Sequence, residues 1–545
     1  MAVLLFMEEY TMNTFMNVLT NNEKTYTEND ATAYRTSGSA LLDLNFSVPS
    51  LRDAAVHHYR KTTGYTRYHG EFLGAVDALR LFVKAFTEDP MYTLKWMMYV
   101  RHIHLGLGER DLFRMILTKL GDMHPDVALQ FIIGTELWNY GRWDDVLRIY
   151  FDTTSDVLRD GLGEVIRNQL RRDVLGARLN DSISLLAKWM PSNNTSSTQA
   201  CSEAAHLQTL LGLSPREYRK TLSMLRKHLD LVERKVSLNQ WKAIDYSHVP
   251  SKANIKYRNA FIKHDKEGRN AYLKSLRRRD NKINARSMFL YDIVHAYLAN
   301  REYGWLSTYT VDETLEALWS AQPAPDIYNE MLVVRDGSGS MSCHISANSS
   351  LTAQDIADSI TLYCAQHNQS EAFKNKFITF SSQPQVVDIS KCETLKSKLH
   401  HLHRHGDCSN TDIEQTFDLI LDTAVKANAL QEDLPKCILV ISDMQFDQAI
   451  AHRNNETVIE TCQNKFINAG YTMPRLIFWN VSSVAHNTIP LQKHPTGIIL
   501  VSGFSRLIVD MVLSQELDPE KALKAELDKK FSIIDTLFDT QAIGA

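Results

Sequence analysis

The sequence predicts two fold types in series: an all-α helical array over residues 1–325, then an α/β doubly wound domain over 326–515. A C-terminal helix within 516–545 is expected to pack on that domain. Three observations predict this order. Before residue 325, short segments carry apolar residues at three- and four-residue spacing, the mark of amphipathic helices. After it, apolar runs alternate with amphipathic segments, the pattern of buried parallel strands joined by helices. Between them lies Ala321-Gln322-Pro323-Ala324-Pro325, whose prolines continue neither helix nor strand.

In the first half, helices are predicted over Glu71 to Phe86, Asp111 to Leu120, Val127 to Trp138 and Trp143 to Tyr150. Breaks at Gly106-Leu107-Gly108, His124-Pro125 and Gly141 keep them short. Many short helices without strands suggest stacked pairs, each burying its face on the next. No clean repeat period is present, so the array is irregular. The run Pro191-Ser192-Asn193-Asn194-Thr195-Ser196-Ser197-Thr198 is polar and turn-forming. In the second half, strands are predicted over Met331 to Arg335, Lys376 to Phe380, Cys437 to Ser442, Arg475 to Trp479 and Gly497 to Val501. Helices fall over Ala353 to Gln366, Asp412 to Lys426, Glu456 to Ala469 and Ser505 to Leu513.

Composition bounds the function. The 545 residues suit two or three domains, and 44% apolar residues suffice for sizeable cores. A formal charge of -4 argues against a globally basic nucleic-acid binder but hides a local bias. Residues 216–286 hold 20 Lys and Arg against seven Asp and Glu. Tyr218, Trp241, Tyr246, Tyr257, Phe261 and Tyr272 are interleaved with them. Cations neutralise phosphates and rings stack on bases, so this stretch is the candidate RNA surface. Its named candidates are Lys252, Lys256, Arg258, Lys263, Arg277, Arg278 and Arg279, with Arg167, Arg171 and Arg172 as a further basic group. Ordinary solvated helix faces and aromatic core residues are the competing reading. Seven cysteines without a CxxC pair predict reduced thiols. The apolar start lacks a basic leader region, and no stretch is long enough to span a bilayer, so a cytoplasmic protein is expected.

The sharpest chemical signal is Asp336-Gly337-Ser338-Gly339-Ser340, directly behind the first predicted strand of the second half. One carboxylate and two hydroxyls on a tight loop are hard oxygen ligands for a magnesium-type ion, too few to close its shell. Further ligand loops are therefore expected downstream. Gly406-Asp407-Cys408-Ser409-Asn410-Thr411-Asp412 supplies a hydroxyl, Thr411, at a helix start. Ile438-Leu439-Val440-Ile441-Ser442-Asp443 supplies a carboxylate at a strand end. His400, His401, His403 and His405 with Cys408 invite a zinc reading, but their spacing is non-standard and a polar helix end or loop is favoured. No nucleophile elbow, P-loop or dinucleotide fingerprint is present, so a non-enzymatic protein is expected.

Asp336, Ser338, Ser340, Thr411 and Asp443 together resemble the metal-ion-dependent adhesion site of von Willebrand factor A domains. The resemblance covers about 330 to 515. It implies Mg2+ (or Mn2+ or Ca2+) bound directly by the serines and threonine, with the aspartates acting largely through water. It also implies an open position for an acidic group of a protein partner. Met444 and Cys408-Ser409 depart from the commonest pattern but remove no ligand. The whole layout resembles the Ro autoantigen (TROVE) family, an all-α HEAT-like array closed by an α/β doubly wound von Willebrand factor A (Rossmann-like) domain. That family binds ends and helices of small or misfolded RNAs, which implies a small or structured RNA as partner. A closer likeness is to an uncharacterised domain family of the same layout. It is carried by Gly106-Leu107-Gly108-Glu109-Arg110, Tyr140-Gly141-Arg142-Trp143-Asp144-Asp145, Lys188-Trp189-Met190-Pro191-Ser192, Val249-Pro250-Ser251-Lys252-Ala253 through Tyr257-Arg258-Asn259-Ala260-Phe261, Ile441-Ser442-Asp443-Met444-Gln445-Phe446 and Ser502-Gly503-Phe504-Ser505. A metal-dependent protein-protein interaction adaptor for an ATPase or chaperone partner, without RNA binding, is the alternative function.

Overall fold

A computed structural model describes residues 24–26, 32–34, 36–48, 51–52, 75–285, 288–299, 311–324, 331–345, 349–381, 383–405, 413–443, 458–481, 498–502 and 518–538. A short antiparallel hairpin, β1 (Lys24–Tyr26) and β2 (Thr32–Tyr34), precedes the helices.

The helical half follows its local signals. Asp89 accepts from the Tyr92 amide and Pro90 stands at the first helical position of Pro90–Arg101. Ser155 caps Asp156–Leu179, and Ser214 with Glu217 forms a capping box on Pro215–His228. The segment expected as one helix over Val127 to Trp138 divides into Pro125–Gly134 and Leu137–Tyr140. Glu136 between them has φ 51°, a left-handed conformation that ends the first helix. Gly106 is required where it stands, since a Cβ there would sit 1.8 Å from the Tyr99 carbonyl oxygen. The Gly106 to Arg110 motif is thus a packing corner, and its Glu109 pairs with Arg52 at 3.1 Å.

One buried carboxylate ties three helices of this half. Asp145 accepts from Arg101 Nε and Nη2 and from Arg114 Nε at 2.6–2.8 Å. It also accepts from the Arg142 amide, closing the first turn of Trp143–Asp152. With Asp145 and Arg101 both buried, the charges are stable only as a paired set.

The second half is a six-stranded sheet in the order β5-β4-β3-β6-β7-β8. Its strands are β3 (Met331–Asp336), β4 (Lys376–Phe380), β5 (Val386–Asp388), β6 (Cys437–Ser442), β7 (Arg475–Asn480) and β8 (Ile498–Ser502). All neighbours are parallel except β4 and β5. The predicted strands are all present. The added edge strand β5 buries Val387 alone, so it has no apolar run to announce it. Alternate side chains enter two cores. Met331, Val333, Leu439 and Trp479 join the core shared with the helical half. Leu332, Val334, Ile438 and Phe478 pack with Phe417 and Phe466 from helices Ile413–Ala427 and Val458–Asn468. Chain order reverses between β3 and β6, which makes their carboxyl ends the topological switch point. The predicted helix Ser505 to Leu513 lies outside the described residues.

Packing crosses the boundary near residue 325 repeatedly. Phe46 of helix Ala40–Phe46 enters the second core of the sheet. Helix Leu290–Leu298 lies on Ala353–His367, where His295 Nδ1 meets Asp355 at 2.7 Å. Glu316 accepts from the Leu395 and Lys396 amides at the start of Leu395–Arg404, an N-terminal cap supplied by the other half. The C-terminal helix expected within 516–545 is observed as Pro519–Phe531 and Ile533–Leu537. It touches β8, but its contacts run chiefly to the helical half rather than to the α/β domain. There Tyr92 and Lys95 bond Asp528, Lys95 meets Asp535 at 2.8 Å, and Lys524 meets Asp89 at 3.1 Å.

Candidate metal site and basic surface

β3 delivers Asp336 to the switch point as a fully buried carboxylate. Its Oδ1 accepts from the Ser338 amide at 2.8 Å and its Oδ2 from Ser442 Oγ, at the end of β6, at 2.6 Å. The loop then turns so that Ser338 Oγ and Ser340 Oγ lie 3.0 Å apart, both half-buried. Asp443 follows β6 and is buried beside the neighbouring strand end, since β3 and β6 pair in register up to Arg335 and Ile441. Four of the five predicted ligands thus gather at two adjacent strand ends. Thr411 lies outside the described residues.

The donor set suits a hard divalent cation: two convergent hydroxyls face outward, and the carboxylates stand behind them. Asp336 already holds two hydrogen bonds, so its place is that of a group acting behind the hydroxyls. Burial pushes the Asp336 carboxyl up, and the donors from Ser442 and Ser338 offset only part of this. Among the described residues no group of three or more His, Cys, Asp or Glu side chains is placed to hold a metal. Any ion here therefore depends on hydroxyl oxygens.

A second buried carboxylate braces this loop. Asp358, in helix Ala353–His367, accepts from Arg335 Nε at 2.8 Å and meets His403 Nε2 at 2.8 Å. Gln354 bridges it to the site, donating to Asp358 Oδ1 and to the Asp336 carbonyl. Burial would raise the Asp358 carboxyl, but Arg335 and His403 outweigh it and hold it well below the usual range. His403 is thus a brace, and His405 packs on His401 at 4.6 Å at the end of Leu395–Arg404. His400, His401 and His403 lie in the helix and His405 at its end, while Cys408 lies outside the described residues.

The basic stretch sorts into inward and outward residues. Arg269 is fully buried, its guanidinium 5.0–5.4 Å from the rings of Tyr246, Phe261 and Tyr272. Arg258 donates to Asp312 at 3.1 Å and to the Ile255 carbonyl. Lys252 meets Asp292 at 3.3 Å and Arg277 meets Glu313 at 2.6 Å, both while remaining exposed. Lys256 lies over the Tyr257 ring at 5.1 Å. Lys263, Arg278 and Arg279 are exposed, and Arg279 takes φ 63° just past the helix end. Tyr218, Tyr246, Phe261 and Tyr272 are core residues and offer no face to a base. Trp241 is half-buried and stacked on His264 at 4.5 Å.

Sequence reasoning missed Ser442, Gln354 and Asp358, which hold the metal loop without bearing ligand-type spacing. Ser442 had a signal, since it directly precedes Asp443 at the end of β6. Gln354 and Asp358 had none beyond helical spacing. Among the described residues, no helix is long and apolar enough to cross a membrane.

Two family profiles match separate parts of the chain. A domain of unknown function (DUF2828) matches residues 135–322, and another (DUF7788) matches residues 330–536. The uncharacterized protein L728 of Acanthamoeba polyphaga mimivirus is 27% identical over 525 residues, covering 90% of this chain and 85% of its own. Among solved structures, the Ro (RSR) protein of Deinococcus radiodurans is similar, with 15% identity and a TM-score of 0.45. The match covers 88% of this chain and 100% of that one.

Proposed function

We propose that this protein binds small or structured RNA through the basic surface of its helical half and carries a divalent cation on a von Willebrand A-type module. The observation that carries the RNA reading is how the charges of residues 216–286 are disposed. Four of the seven acids there are engaged by local partners, although Glu217, Asp230 and Asp245 remain exposed: Glu217 and Asp265 cap helices, Asp230 pairs with Lys235, and Asp245 bonds Ser247 and His248. Lys220, Lys227, Lys263, Lys274, Arg278 and Arg279 are exposed, with no acid opposite them among the described residues. A surface so disposed presents cations outward, which suits a phosphate backbone. Because the rings are mostly buried, contacts would run to phosphate and ribose rather than to stacked bases.

The test is RNA binding measured by fluorescence anisotropy at two or more salt concentrations. Affinity should fall steeply with salt, and Lys263→Glu with Arg278→Glu and Arg279→Glu should weaken binding by about tenfold or more and flatten the salt slope. Binding that ignores both salt and these substitutions sinks the RNA reading.

The geometry at β3 and β6 favours a second reading, that the cation recruits an acidic group of a protein partner. Ser338 and Ser340 are half-exposed while their supporting carboxylates are buried, so an open side would face solvent. A partner captured with magnesium and released by chelator or by Ser338→Ala would support it. Cation binding that is unchanged by Ser338→Ala with Ser340→Ala would remove its basis.

A further inference from the structure

Away from the candidate metal site and the basic surface already described, the helical half contains a cavity of about 600 Å3. It lies between the loop around Ser192 to Asn194, helix Pro215–His228 and helix Val232–Ser237. That volume is within the range of small-ligand sites. Its lining includes Arg219, Arg226 and Arg234, against one acid, Glu233, which meets Lys188 at 3.1 Å. We propose that this cavity is a nucleotide site, taking the phosphate, ribose and base of one nucleotide, either free or at the end of an RNA strand. The strand-end form rests on the RNA reading above; the site itself does not.

Arg226 is the fixed element. Its Nε donates to the Ala187 carbonyl at 2.8 Å, Nη1 to Ser192 Oγ at 2.8 Å and Nη2 to the Met190 carbonyl at 2.6 Å. All these acceptors are neutral, so the guanidinium is held rigidly while its charge is left for a bound anion to balance. Arg219 and Arg234 come from two different helices, with no acid opposite them among the described residues. Two such guanidinium groups suit a phosphate, which accepts bidentate donors.

The rest of the lining suits the remainder of a nucleotide. Asn193 Oδ1 is buried and has no hydrogen-bond partner, although its amide donates to the Pro215 carbonyl at 3.3 Å. Asn193 and Asn194 both line the cavity, and amide side chains of this kind can hydrogen-bond a ribose hydroxyl or a base edge. Leu222 and Leu231 add apolar surface against which a base edge can lie. Inorganic phosphate would satisfy the arginines but leave Asn193 and the leucines unused.

The test is calorimetry on the full chain with adenosine 5′-monophosphate, inorganic phosphate and a short 5′-phosphorylated oligoribonucleotide. The nucleotide should bind more tightly than phosphate and compete with the oligonucleotide. Arg219→Ala with Arg234→Ala should weaken nucleotide binding by about tenfold or more, and the paired lysine variant should recover part of it. Ser223→Trp, which fills the cavity without removing charge, should abolish it. Nucleotide binding that these variants leave unchanged, or phosphate bound as tightly as nucleotide, overturns the site. RNA binding that persists while free nucleotide and both variants have no effect overturns the cavity and leaves the RNA reading standing. Nucleotide binding without RNA binding does the reverse.

Discussion

Each half of the molecule is braced by a buried aspartate between two basic side chains, and the braces serve different ends. Asp145 joins Arg101 and Arg114 and holds three helices of the array together. Asp358 joins Arg335 and His403 and, through Gln354, holds the strand end that carries Asp336. The same electrostatic device secures packing in one half and braces the candidate metal loop in the other. Deleting the first should cost fold stability alone. Deleting the second should cost stability and the site together.

The largest expected effect is at Asp145. Replacing it by Ala leaves Arg101 and Arg114 without their common carboxylate and should destabilise the protein by about 3–5 kcal/mol, read from the urea midpoint. Asp358→Ala should cost less, about 3 kcal/mol, since His403 is only partly enclosed and can turn to water. It should also weaken magnesium binding in calorimetry, which Asp145→Ala should leave intact in the fraction that remains folded. Equal effects of both variants on the cation would break the comparison.

Acid sharpens it further. The folded-state carboxyl of Asp358 lies below its unfolded value, so its contribution is fully present above about pH 4 and is lost as pH falls through the folded value. The stability gap between wild type and Asp358→Ala should therefore narrow below about pH 4. A gap that widened in acid would contradict the geometry.

A smaller effect is expected at Lys95, which meets Asp528 and Asp535 from the C-terminal helices. Lys95 is buried while the two aspartates are about half exposed, so Lys95→Met should cost about 1–2 kcal/mol by thermal or urea unfolding. The smallest change in stability belongs to Asp336→Asn. In chelator it should alter unfolding by less than about 1 kcal/mol, because removing a buried charge offsets the weakened hydrogen bonds. Magnesium should stabilise the wild type, and this stabilisation should be absent from the variant.

The two halves also differ in how far the sequence reveals them. Strands β3, β4, β6, β7 and β8 are legible because buried parallel strands are uninterrupted apolar runs. The ligand loop is legible because a strand end fixes where Asp336, Ser338 and Ser340 must lie. Asp443 is found by the same rule on the neighbouring strand. The basic surface is different. Whether Arg258 or Arg277 keeps its charge for a phosphate depends on Asp312 and Glu313, dozens of residues away, and no local pattern announces those pairings. Arg269 is the extreme case, since its charge suggests a surface residue and three rings enclose it. The cavity was hidden for the same reason. Its polar loop was visible, but the arginines that meet it come from two later helices.

The C-terminal helix has a consequence for how the chain is made. Helix Pro90–Arg101 emerges early during synthesis, yet the side chains of Lys95, Tyr92 and Asp89 meet charged partners in residues 524–535. Domains made first normally fold first. Here one face of an early helix stays uncovered until hundreds of further residues have been translated. Closing so long a loop is slow, because distant contacts bring their reward only after the chain between them is ordered. In the interval the helical half carries an exposed seat for Phe531 and Leu537, a surface that chaperones or a sister chain could occupy before the protein's own last helix arrives.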